Sequence, residues 1–141
     1  MSDSAQHPQI CVGAVALHER RLLMIRRATA PQAGYWSLPG GRVEFGETMA
    51  EALVREVREE TSVEVICGEV IDWVELIDDG AAPHHLVIVD FQAVVMGSPD
   101  PQPGTDAAEA AWVDLDDVAD LNLVDGLAEF LSEHGFIRLL A

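Results

Sequence analysis

Lysine is absent from the 141-residue chain, and its eight arginines (Arg20, Arg21, Arg26, Arg27, Arg42, Arg55, Arg58 and Arg138) face 25 acidic residues, for a net charge of −17. Coating a nucleic acid duplex requires many cationic side chains to displace counterions, so no nucleic-acid partner is expected. Cysteine is nearly as scarce: Cys11 and Cys67 lie in apolar runs and read as free, buried thiols, not as a disulfide framework. No apolar run approaches the ~18 residues that span a bilayer, and MSDSAQHPQ lacks the basic start and long apolar segment of a signal peptide. The expectation is a cytoplasmic protein with no membrane partner. Low-complexity tracts, heptads and long repeats are missing too, which leaves one folded domain over residues 1–141, with a tail of about residues 1–7 expected to be disordered.

What is present divides into short apolar runs. Gln9 to Leu17 and Arg21 to Ile25 predict a hairpin turning at His18-Glu19-Arg20, and Tyr35 to Leu38 a short extended piece broken by Pro39-Gly40-Gly41. Thr48-Met49-Ala50-Glu51 fits a capping box, and the residues to about Thr61 contain no Gly or Pro, which predicts a helix. Val63 to Asp78 and Pro83 to Met96 read as strands around an Asp79-Gly80 turn, and Glu109 to Val113 as a short strand. Asp116 to Ala119 predicts a helical turn, and Leu123 to His134 a closing helix ended by Gly135. The Pro-rich stretch Gly97 to Gly104 between them is read as a loop that could serve as a lid. This order points to an α/β or α+β domain with a mixed sheet and packed helices.

Gly41 to Thr48 has the glycine spacing of a Walker loop but carries Glu47 where that loop has lysine, so it cannot hold phosphate by its own cation. The helix that follows is more informative. At about 100° per residue, Met49, Ala50, Leu53, Val54 and Val57 form one apolar arc of roughly 140°. Glu60 falls inside that arc, Glu56 on its flank and Glu59 one step beyond. Clustered carboxylates beside a core resist ionisation unless a cation compensates them, and acids at i, i+3 and i+4 suit Mg²⁺ or Mn²⁺. The plainer reading is a solvated charged helix with pairs such as Arg55 and Glu59, each worth a few tenths of a kcal/mol.

Taken together, Gly41 to Val63 resembles the Nudix hydrolase signature, G-x5-E-x7-R-E-U-x-E-E-x-G-U with U aliphatic. It matches at Gly41, Glu47, Arg55, Glu56, Val57, Glu59, Glu60 and Val63, and departs at Ser62, where the pattern has glycine. The motif covers about a sixth of the chain; the flanks RRATAPQAGYWSLPGG and AEAAWVDLDDV are also similar to this family of MutT-like small proteins, and DWVELIDDGAAPHHLVIVDFQAVV resembles the corresponding segment of its ADP-ribose pyrophosphatase-like small members. The resemblance implies a mixed sheet sandwiched between helices, and hydrolysis of a nucleoside diphosphate linked to another moiety by water attack on the diphosphate. It further implies that Glu56, Glu59 and Glu60 hold the metal with the Gly40 carbonyl, that Arg55 orients the glutamates, and that Glu47 stands behind Arg55; Gly41 and Glu47 are then structural parts of the motif. The general base varies within the family.

Four further readings accompany this one. Glu109 is either an additional metal ligand or a surface acid, and Arg26 and Arg27 either grip a substrate phosphate or form a solvated pair. His84 and His85 are read as surface or pocket residues, and Trp36, Trp73 and Trp112 as mostly core. A nucleotide sugar or ADP-ribose is the favoured substrate, with hydrolysis of ordinary or oxidised nucleoside triphosphates as the alternative within the enzyme class. A non-catalytic Nudix-fold binding module is the alternative outside it. A homodimer is compatible with the resemblance, and nothing in the sequence specifies one.

Overall fold

The computed structural model describes residues 7–30, 32–97, 100–104 and 107–139; the expected disordered tail lies, but for His7, outside them. Strand β1 (Gln9–His18) turns directly into β2 (Arg21–Arg27), with Glu19 and Arg20 alone in the bend, at φ 52° and 61°. Two successive positive φ values give the turn whose twist matches a hairpin, although neither residue is the usual glycine or asparagine. The hairpin is tight only at its tip, where Leu17 faces Leu22 and His18 faces Arg21. Beyond it the strands separate. β1 takes β4 (Gly40–Arg42) antiparallel on one side and β6 (His84–Val95) parallel on the other, while β2 carries β3 (Trp36–Ser37) and β7 (Ala107–Asp114). β5 (Val65–Asp78) completes the sheet as the outer neighbour of β6, with irregular register between Cys67 and Asp72.

Helix α1 (Met49–Thr61) opens with the full capping box, Thr48 Oγ1 accepting from the Glu51 amide and the Glu51 carboxylate from the Thr48 amide. It packs on one sheet face, where Ala52, Leu53 and Val57 meet Val12, Ala14, Leu23, Val65 and Phe91. The buried stripe is rotated from the expected arc: Ala52 is fully buried, whereas Met49 and Ala50 are exposed because the first turn overhangs the sheet. On the other face α2 (Leu127–Glu133) buries Leu127 and Leu131 against Val15, Leu22 and Met24. The mixed sheet therefore lies between helices, as the resemblance implies. Among the described residues no helix is long and apolar enough to cross a membrane.

Four expectations are corrected. The closing helix starts at Leu127, not Leu123, since Leu123 bridges to Trp36 and Gly126 adopts φ 84° just ahead of it. Trp73 is 60% exposed, and Cys67 is only partly buried, because both lie on the outermost strand. Residues 100–104 do not hang free as a lid: the Gln102 and Gly104 amides donate to the Thr61 and Glu60 carbonyls, satisfying acceptors that the end of α1 leaves open.

Ser62, at the motif's one departure, ends α1 at φ 64°, the left-handed conformation that glycine adopts without strain. Its hydroxyl gains only a 3.4 Å contact with the Gln102 carbonyl. Ser62→Gly is expected to raise stability by about 0.5–1 kcal/mol, read as a higher urea midpoint at unchanged slope.

Candidate active site

The site forms where β4 passes under the middle of α1. Gly13 lies opposite Gly40 and Val12 opposite Gly41. The flanking bonds Ala14 N–H to Pro39 O and Val43 N–H to Ile10 O fix the even-numbered β1 residues as those bonded to β4. By alternation, the Gly40 amide and carbonyl both point away from β1. The amide donates to Glu60 Oε1 at 2.8 Å, so β4 and the last turn of α1 are joined at the residue whose carbonyl the resemblance offers as a ligand. Gly41 bears on the position of Glu56. A side-chain carbon there would overlap the Glu56 carboxylate, which lies directly over the backbone.

Arg55 is the hub of the cluster. Its Nε and one terminal nitrogen fork onto Glu47 at 2.6 and 2.9 Å, and the same terminal nitrogen donates to the Arg42 carbonyl at 3.0 Å. The other terminal nitrogen reaches Glu56 at 2.9 Å and Glu59 at 3.3 Å. Glu47 is itself held by the turn, its carboxylate accepting from the Glu44 amide at 3.0 Å. The arginine fork, helped by that amide, holds the Glu47 carboxyl down at about 2. Burial pushes the Glu56 carboxyl the other way, above the usual glutamate range, against the pull of Arg55. Glu59 remains largely in solvent, its side chain 58% exposed.

The predicted residues therefore fall into two groups. Gly40, Gly41, Glu47, Arg55, Glu56, Glu59 and Glu60 come together at the α1–β4 contact. Arg26 and Glu109 do not join them directly: they face each other across β2 and β7, and Arg26 Nε donates to Glu109 Oε1 at 2.9 Å. Arg27 follows at the irregularity where that ladder shifts register. His84 and His85 sit at the far start of β6, with His85 Nε2 3.4 Å from Glu75.

Among the described residues no three Asp, Glu, His or Cys side chains stand together as a ready metal cluster. The reason is electrostatic. Arg55 lies between the glutamates that a cation would draw together, and Glu60 is turned onto the Gly40 amide. The donor set nevertheless fits a hard divalent ion, since it is all oxygen, carries several negative charges and includes a carboxylate seated in the space over Gly41 where a side chain would displace it.

A second polar group, which the sequence did not single out, occupies the opposite side of the sheet. Asp90 is buried opposite Asp72, whose Oδ2 lies 3.1 Å from His134 Nε2 at the end of α2. The partners are 62 residues apart in sequence, and no local pattern joins them. Burial, with Asp72 adding and His134 opposing, pushes the Asp90 carboxyl up to about 6 from 3.8. The folded chain thus keeps a proton that the unfolded chain releases, and the cost of ionising Asp90 is absent below pH ~4 and complete above pH ~6. Asp90→Asn should therefore stabilise the fold at pH 8 by an amount of at most ~3 kcal/mol and give no gain at pH 4, measured by urea unfolding at both values.

The comparisons with known proteins agree with this geometry. The sequence model of the NUDIX domain matches residues 7–134. An ADP-ribose pyrophosphatase of Methanocaldococcus jannaschii is 34% identical over 115 residues, 82% of this chain and 67% of that protein. A CTP pyrophosphohydrolase of Escherichia coli is 41% identical over 61 residues, 43% of this chain and 45% of that one. The crystal structure of a MutT NUDIX hydrolase from Burkholderia pseudomallei superposes with a TM-score of 0.75 at 27% identity, covering 89% of this chain and 97% of its own. Members of this family generally use divalent metal ions. The glutamate helix, the double-glycine strand beneath it and the domain-length match lead to one conclusion: the chain belongs to the Nudix hydrolase family.

Proposed function

We propose that the enzyme hydrolyses ADP-ribose or a nucleotide sugar at the diphosphate, in the cytoplasm, with Mg²⁺ as the working ion and Mn²⁺ able to replace it. The observation that carries this reading is Arg55 holding Glu56 and Glu59 beside the Gly40–Gly41 strand. In this reading Glu56, Glu59, Glu60 and the Gly40 carbonyl hold the ion, with Glu109 as a further ligand. When bound there, a divalent ion neutralises diphosphate charge and lowers the pKa of a coordinated water. Arg55, itself anchored by Glu47, keeps the glutamates oriented. Arg26 and Arg27 lie at the end of β2 and grip phosphate oxygens, for which Arg26 exchanges its bond to Glu109. A carboxylate of the set takes the proton of the attacking water as the new P–O bond forms. The bridging P–O bond breaks, and a nucleoside monophosphate leaves with the phosphorylated second moiety.

ADP-ribose is favoured because the relative that shares 82% of this chain bears that name. Hydrolysis of nucleoside triphosphates is the second reading, supported by the shorter match to the CTP enzyme. A non-catalytic binding module is disfavoured because every motif glutamate is retained. The test is a panel of ADP-ribose, UDP-glucose, CTP and 8-oxo-dGTP with Mg²⁺ and with excess EDTA. Metal-dependent release of AMP from ADP-ribose at the highest kcat/KM is expected. Preferential release of pyrophosphate from a triphosphate would establish the second reading, and tight binding of ADP-ribose without turnover of any substrate would establish the third.

A further inference from the structure

One row of residues runs from the candidate metal site across the sheet. Register places Gly40, Gly13, Asp90 and Asp72 side by side on β4, β1, β6 and β5. Gly13 and Asp90 alternate with Val12, Ala14 and Phe91, which pack under α1, so both present the opposite face of the sheet. Two neighbouring glycines leave that row bare between the edge of β4 and Asp90. The Asp90 carboxyl leans into the gap, since a side-chain carbon at Gly13 would overlap its Oδ1. The two acids differ in how they are satisfied. Asp72 accepts from the Trp73 amide at 2.8 Å through Oδ1 and meets His134 at 3.1 Å through Oδ2. Asp90 is only 7% exposed, yet among the described residues none donates a hydrogen bond to its carboxyl. A buried acid without a donor destabilises the fold, and such a cost is tolerated where function needs the group.

We propose that Asp90 is a specificity-determining residue whose carboxyl accepts the 2′ and 3′ hydroxyls of the substrate's nucleoside ribose, with the sugar lying over the Gly40–Gly13 strip. This rests on the diphosphate-hydrolysis reading, which brings the phosphates to the Gly40 carbonyl. Reach favours the sugar. β4 and β6 are two strand spacings apart, roughly 10 Å, and Oδ1 leans back over β1, so the acceptor stands about one spacing from Gly40. In a nucleotide the ribose follows the phosphate directly and the base lies beyond it. Hydrogen-bond chemistry favours the sugar too. A carboxylate only accepts, and vicinal hydroxyls offer it two donors side by side. The adenine edge sets the acceptor N7 beside its amine, which would oppose one carboxylate oxygen. The bare glycine backbone lets a sugar ring approach closely. Selection of this kind separates ADP-ribose and CTP from 8-oxo-dGTP, which lacks the 2′ hydroxyl.

Isothermal titration calorimetry of AMP and 2′-deoxyAMP with Mg²⁺ at pH 8 tests this. Both are product nucleotides that need no turnover, so the result stands apart from the hydrolysis panel, which decides the underlying reading. The wild type is expected to bind AMP at least about tenfold more tightly than 2′-deoxyAMP. Asp90→Ala should bring the two affinities to within about threefold of each other. Asp90→Asn keeps one acceptor oxygen and is expected to be at least as stable as the wild type at this pH, so its ratio should lie between the two. Equal affinity of the wild type for both nucleotides overturns the proposal, as does binding of neither. Discrimination that persists in both variants, or an equal loss of affinity for both nucleotides, assigns Asp90 to structure alone and overturns it as well.

Discussion

Glu59→Gln is expected to lower kcat/KM for the preferred substrate by at least about 10²–10³-fold, while the protein unfolds at nearly the same urea concentration as the wild type. The asymmetry follows from position. Glu59 is 58% exposed and contributes to the fold only a 3.3 Å contact with Arg55, which an amide oxygen can still accept. Such a pair is worth a few tenths of a kcal/mol. Its charge, in contrast, belongs to the set proposed to hold the metal, where one lost carboxylate would weaken both ion binding and the positioning of the diphosphate. A merely solvated glutamate would show neither effect. If Glu59→Gln retained full activity, the metal assignment on this helix would be wrong.

Arg55→Ala should damage both activity and stability. The side chain is 21% exposed and bonds Glu47, Glu56, Glu59 and the Arg42 carbonyl, so its removal leaves Glu56 mostly buried and uncompensated and frees the turn at Glu44. A loss of ~2 kcal/mol is expected near neutral pH. The pH dependence separates this from lost packing. The Glu47 carboxyl is depressed to about 2 by the arginine, so the stability it contributes is complete above the ordinary value of 4.5 and disappears as pH falls through about 2. The deficit of Arg55→Ala relative to wild type should accordingly shrink between pH 4.5 and 2. Arg55→Lys is expected to recover little, because an ammonium cannot reproduce the fork onto Glu47.

These two residues were legible in the sequence because everything that places them is local. The Thr48–Glu51 box, the run without glycine or proline and the i, i+3, i+4 acids all act within one helix, and Glu47 lies 8 positions from Arg55. Other parts depended on distant partners. β4 was missed because Gly40-Gly41 reads as a breaker, and it becomes a strand only through pairing with β1. The parallel β1–β6 ladder joins segments about 77 positions apart, which no periodicity can announce. The same is true of the Arg26–Glu109 pair, 83 positions apart, whose two members were read separately as a phosphate grip and a metal ligand. The exposure of the apolar stretch from Val70 to Ile77, read in the sequence simply as strand, was not legible, since hydrophobicity records the tendency to be covered and not which element covers it. Trp73 belongs to that stretch.

The glutamate set can be tested without any substrate, by titrating Mn²⁺ into the wild type and into Glu56→Gln and following the free ion by electron paramagnetic resonance. Saturable binding by the wild type, weakened at least about tenfold in Glu56→Gln, is the predicted result. Equal binding by the two proteins, or no saturable binding by the wild type, would contradict the assignment of divalent metal to this helix.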